Sequence, residues 1–187
     1  MSYRWHQPSG AVRSALPQRR TVGVLAGALL ALLVVGPGLA ATTASIANLT
    51  MAAATVTHAT QNKGRTLTLS VTDTVGIGWN VTVQSSAMKY SGLYGSTPAN
   101  DIPAANLSLG TPATPVFKSG QAIDATNGPK AVGVGGVLNA PIKVINANSG
   151  YGLGSYTQKL PLTVSIPANP RQGTYAATLT VTITAGP

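Results

Sequence analysis

Two fragments of the chain carry residue types that elsewhere perform nucleophilic chemistry. Ser86-Ala87-Met88-Lys89 spells Ser-x-x-Lys, and Lys118-Ser119-Gly120 resembles the later Lys-Thr-Gly element of penicillin-binding enzymes. That chemistry needs the serine at the start of a buried helix, a third motif between the two, and a far longer chain than 187 residues. The three acids, Asp73, Asp101 and Asp124, are isolated, glutamate is absent, and His58 has no acid at ligand spacing. No spacing therefore suits a metal ion or a pair of hydrolytic carboxylates. Glycine clusters at 133–136 and 150–154 precede no helical pattern, so they offer no helix N-terminus to a phosphate. Cysteine is absent, which removes thiol chemistry and disulfides. The residues predict a noncatalytic protein with no cofactor, and leave binding as the activity to place.

The elements that would position a binding surface read as strands. Four segments alternate apolar and polar residues with period two. Residues 66–72 put Leu67, Leu69 and Val71 on one face. Residues 79–84 do so with Trp79, Val81 and Val83, residues 160–166 with Leu160, Leu162, Val164 and Ile166, and residues 175–184 with Tyr175, Ala177, Leu179, Val181 and Ile183. Turn formers fill 73–78 and 167–173, so the pattern predicts two hairpins. Further strands are expected near 49–57, 106–109 and 140–145. Two amphipathic hairpins with threonine-coated outer faces must bury their apolar sides together, which predicts an all-β antiparallel sandwich, immunoglobulin-like in general architecture.

The first 44 residues stand apart. Arg4, Arg13, Arg19 and Arg20 precede the uninterrupted apolar run 22–35, followed by Gly36-Pro37-Gly38 and small residues. This is the layout of a cleavable signal peptide, with cleavage after Ala40 or Ala44, and it predicts a secreted chain with one domain over 45–187. The alternative is an uncleaved anchor, the only route to a membrane. Four of the 12 basic residues lie in the leader, so the remainder carries eight against three aspartates, a net charge of +5. Those eight are scattered without a stripe or interleaved aromatics, which argues against nucleic acid and for weak attraction to an anionic cell-wall polymer.

Several pieces occur in a recognisable order: Val71-Thr72-Asp73, Trp79-Asn80-Val81, Ile102-Pro103-Ala104-Ala105-Asn106-Leu107, Gly150-Tyr151-Gly152-Leu153-Gly154 and Ile166-Pro167-Ala168-Asn169. The last is Tyr175, three residues, Leu179-Thr180-Val181, Thr182, Ile183 and, four residues on, Pro187. The ordered set resembles the WxL-domain family of secreted bacterial cell-surface proteins. Val81 and Ile183 stand where that family usually has leucine, and Val181 where it has its second tryptophan. The resemblance implies a protein held noncovalently on the cell envelope, with peptidoglycan as ligand. The rival expectation is a surface-layer, filament or docking subunit, with other secreted surface proteins as partners.

Pleat geometry turns Trp79, Val81, Tyr175, Leu179, Val181 and Ile183 toward the apolar side, so the motif residues, with Thr180 and Pro187, are expected to be mainly structural. The alternative for Trp79 is an exposed stacking surface. Tyr175 is expected to bond its hydroxyl to backbone at a corner. Tyr90, Tyr94, Tyr151 and Tyr156, in glycine-rich connections, are the candidate glycan or partner contacts, the alternative being lids over the core.

Overall fold

The computed structural model describes residues 21–22, 32–35 and 42–187. In chain order the strands are β1 (Thr21–Val22), β2 (Leu32–Val35), β3 (Thr42–Ile46), β4 (Ala54–Thr55), β5 (Gln61–Asp73), β6 (Trp79–Ser85) and β7 (Lys89–Ser91). After two short 3-10 turns follow β8 (Leu107–Leu109), β9 (Val116–Gly120), β10 (Lys130–Ala131), β11 (Gly136–Val137), β12 (Ile142–Ala147), β13 (Gly154–Ile166), β14 (Thr174–Ala176) and β15 (Leu179–Ala185). They form two main sheets. One has the order β10-β12-β6-β15-β2 and the other β11-β8-β13-β5-β3, with β9 also pairing β13. Pairing is antiparallel except between β15 and β2.

The expected alternation is present in every long strand. Leu67, Leu69 and Val71 of β5, Leu160, Leu162, Val164 and Ile166 of β13, Trp79, Val81 and Val83 of β6, and Leu179, Val181 and Ile183 of β15 are buried in one continuous core. The chain is all-β, a sandwich of two antiparallel sheets whose apolar faces meet. Three tyrosines, Tyr90, Tyr156 and Tyr175, join Trp79 among the largest buried side chains, so the aromatic filling of the core is shared.

The two predicted hairpins do not form. β5 lies in one sheet, paired over its full length with β13, whereas β6 lies in the other between β12 and β15. The segments 73–78 and 167–178 therefore cross between sheets as arches. Period-two alternation fixes which face of a strand is buried and carries no information about its neighbour, so hairpin and arch read alike in sequence. The first arch is held by Asp73, whose carboxylate accepts the backbone N–H groups of Val75 (3.1 Å) and Gly76 (3.0 Å).

Two further expectations are corrected. The segment 175–184 is two strands: β14 pairs β7, and the chain then breaks stride at Ala177-Thr178 before β15 joins β6. Only Ala54–Thr55 of the predicted strand 49–57 is one, paired with β1. β3 begins at Thr42, ahead of the domain boundary expected at residue 45, and alternates buried and exposed residues against β5. Its Thr42 Oγ1 donates to the buried Asp73 Oδ1 at 2.7 Å. Most of the predicted leader, including Ala40 and the bond that follows it, lies outside the described residues.

Candidate functional site

The two ends of the sandwich hold the residues singled out by sequence. At the end where β6 begins, Trp79 is fully buried, paired in register with Ala147 of β12. The small Ala147 leaves room for the indole, and the loop 150–154 closes over it. Gly152 is required there: its φ is 82°, and a Cβ would lie 2.6 Å from that of Ala147 and 3.0 Å from the indole nitrogen. The indole N–H has no hydrogen-bond partner among the described residues. Trp79 is thus a core residue and no ligand can stack on it. Val81, Leu179, Val181 and Ile183 are likewise fully buried, Thr180 sits half-buried on the outer face of β15, and Pro187 is exposed.

The four candidate contact tyrosines separate. Tyr156 is buried, its hydroxyl donating to the carbonyls of Gln121 (2.6 Å) and Leu153 (2.9 Å) with Phe117 against its ring edge. Tyr90 is also buried. Neither can contact a ligand, which corrects the sequence expectation for both. The reason is that they belong to β13 and β7, not to connections, and continue the inward phase of those strands. Tyr151 is partly exposed, in the loop that covers Trp79. Tyr94 alone is well exposed, at 50%.

Tyr94 stands at the opposite end, where three segments of the chain converge. Tyr90 and Tyr175 pack there with ring centroids 5.3 Å apart. The Tyr90 hydroxyl donates to the carbonyl of Gln172 and that of Tyr175 to the carbonyl of Arg171, each at 2.8 Å. The Tyr175 bond is the corner expected from sequence, and the two together pin the turn at 167–173. Burial pushes the Tyr175 phenol above its ordinary range, with Tyr90 beside it adding to the effect, so it stays a neutral donor. The turn enters through Asn169, which adopts a left-handed φ of 54°, a conformation asparagine tolerates.

So held, Arg171 extends its guanidinium over the Tyr94 ring, 4.8 Å from the centroid. Asn100 fixes the Tyr94 loop by donating from Nδ2 to the carbonyls of Tyr94 (3.2 Å) and Gly95 (3.0 Å). Asp101 is anchored by Lys89 Nζ at 2.8 Å and the Tyr90 N–H at 2.9 Å. Those two bonds, the Lys89 one first, hold its carboxyl below the ordinary carboxylate value. Between these segments lies an open cleft of about 470 Å³ lined by Asn100, Asp101, Pro167, Asn169, Arg171 and the ring of Tyr175. A smaller recess of about 190 Å³, bordered by Tyr94 and Val56, adjoins it across Arg171.

The arrangement supplies an exposed aromatic, a guanidinium whose planar fork suits a carboxylate, two amides and a fixed carboxylate acceptor. Those groups are chemically suited to hydroxyl and carboxylate groups on a ligand. Of the residues at this end, sequence reasoning singled out Tyr94 as a contact and Tyr175 as a corner, and did not single out Arg171, Asn100, Asp101 or Asn169. Asn169-Pro170-Arg171 marks a turn, but nothing in the pattern links it to a tyrosine loop more than 70 positions earlier. Compared with known proteins, the chain finds no matching family model, no matching curated protein and no matching solved structure.

Proposed function

We propose that the chain is a noncatalytic, secreted surface protein of the WxL type that associates noncovalently with the bacterial cell wall, with peptidoglycan as its ligand. The observation that carries this reading is the cleft at the Tyr94 end. Peptidoglycan presents sugar rings and peptide carboxylates side by side. Tyr94, half exposed in the adjoining recess, offers an aromatic ring for the first, and Arg171, which borders both recess and cleft, a guanidinium for the second, with Asn100 and Asn169 as amide partners for hydroxyls. The net charge of +5 beyond residue 44 adds long-range attraction to an anionic wall. Co-sedimentation of the secreted protein with purified sacculi tests the reading. Recovery with the pellet at moderate salt is expected, and recovery wholly in the supernatant contradicts it.

A second reading, a structural subunit that docks on other copies or other secreted proteins, is favoured by a different feature, the uncharged strand β15, whose outer side is paired, among the described residues, only with the short β2. Sedimentation of the protein in the absence of wall separates the two: a monomer that binds sacculi supports the first, and ordered assemblies that ignore sacculi support the second.

A further inference from the structure

The edges of the two sheets are not alike. On one flank the outermost strands are β10 and β11, two residues each, and β10 carries Lys130. β9, the additional strand on β13, carries Lys118. Short length and lysine are the usual guards against unwanted strand addition. On the other flank lie β3 and, next inside the short β2, β15, which approaches β3 across the sandwich. β15 is seven residues, Leu-Thr-Val-Thr-Ile-Thr-Ala, with no charge and no proline. Its register with β6 runs unbroken from Leu179 opposite Ser85 to Ala185 opposite Trp79, so no bulge twists it away. A regular, unguarded strand of this kind is a template for another.

In this structure the template is occupied. Leu32–Val35, as β2, pairs in parallel with Thr180–Ile183. That segment lies inside the stretch whose sequence reads as a signal peptide. Removal of residues 1–40 takes β2 away, leaves β3 whole, and bares the outer row of β15 backbone N–H and C=O groups.

We propose that the bared β15 edge is a homotypic docking site, on which β15 of a second copy pairs antiparallel to give a two-fold dimer. The proposal rests on the reading of the leader as removed. A second copy is the occupant that this edge fits, because the strand is complementary to itself. Antiparallel pairing about Thr182 sets Thr182 against its own copy and Thr180 against Thr184 on the outer face, and Val181 against Ile183 on the core side. Threonine pairs and β-branched apolar pairs are favourable cross-strand neighbours, and no like charges meet. The exposed Thr43 and Ser45 of the adjacent β3 bring no charge to the contact either. A contact of this symmetry closes on itself, so the product is a dimer and not a filament.

The test uses the full gene expressed with secretion, followed by intact mass and sedimentation equilibrium of the recovered protein. The expected result is a chain beginning at Ala41 that sediments as a dimer. Because the chain has no cysteine, Thr182→Cys is a clean probe. Directly opposed β residues lie within disulfide reach, so this variant is expected to cross-link to itself under mild oxidation. Thr182→Lys sets two like charges on the axis from an outward-facing position, and is expected to give a folded monomer by circular dichroism. A processed chain that remains monomeric overturns the proposal, as does a dimer that Thr182→Lys leaves intact and Thr182→Cys does not link. Recovery of only the unprocessed chain is a different failure: it removes the leader reading, and the proposal with it.

Discussion

The two ends of the sandwich carry the aromatic residues that sequence singles out, and they use them in opposite ways. At one end Trp79 is sealed beneath Ala147 and Gly152, with no accessible surface. At the other, Tyr90 and Tyr175 are buried so that Tyr94 and Arg171 can be presented on loops they hold in place. The difference teaches that Trp79 reports the fold, whereas the candidate binding surface is assembled from turns with no motif of their own. Loops held on a rigid core are where contact residues usually lie.

Breaking the buried end has the largest effect. Trp79→Ala is expected to lower unfolding free energy by about 3–5 kcal/mol, read by urea denaturation, through lost burial and the cavity left behind. Any folded fraction is expected to bind sacculi as the wild type does. A stable variant that has lost binding would reverse the assignment of the two ends. Asp73→Ala at the same end leaves the Thr42 hydroxyl and the N–H groups of Val75 and Gly76 without their acceptor, and is expected to cost about 1–3 kcal/mol. The same bond separates the two expected cleavage sites: cleavage after Ala40 would keep Thr42 on Asp73 and cleavage after Ala44 would remove it, and N-terminal sequencing of the recovered protein, expected to begin at Ala41 if β3 is kept whole, distinguishes them.

At the open end the expected effects move from stability to binding. Tyr94→Ala and Arg171→Ala are each expected to weaken sacculus binding about tenfold, a loss near 1.4 kcal/mol, with little change in denaturation midpoint. The smallest effect concerns pH. The carboxyl of Asp101 is held below its ordinary value of 3.8 in the folded chain, so its contribution to stability is complete above that value and is lost as pH falls through the lower native one. Asp101→Asn is expected to flatten that part of the acid limb in a pH series of melting temperatures.

Much of the fold was legible in sequence because half-buried strands announce themselves by alternation. β5, β6, β13 and β15 were placed on their faces by Leu67 to Val71, Trp79 to Val83, Leu160 to Ile166 and Leu179 to Ile183. Their partners were not legible, because alternation is blind to pairing, and the arches were therefore read as hairpins. β13 also ran six residues longer than its apolar run. Gln158 sits at one of its inward positions, buried, donating to the carbonyls of Val144 in the opposite sheet (3.0 Å) and Ala113 (2.9 Å). A polar residue at an inward position hides the phase from sequence, and with it the burial of Tyr156. At the candidate site Tyr94 was legible as an exposed loop aromatic and Tyr175 as a corner residue. The cleft depends on Arg171 meeting a distant loop, and that meeting is set by the two hydroxyl bonds of Tyr90 and Tyr175.

The most direct test of the division between the ends is the binding of a Tyr94→Ala/Arg171→Ala double variant to purified sacculi, measured beside the wild type and with melting curves for both. The account predicts matching curves and a bound fraction reduced to the level of an unrelated basic protein. A double variant that folds and still sediments with the wall as the wild type does would contradict it.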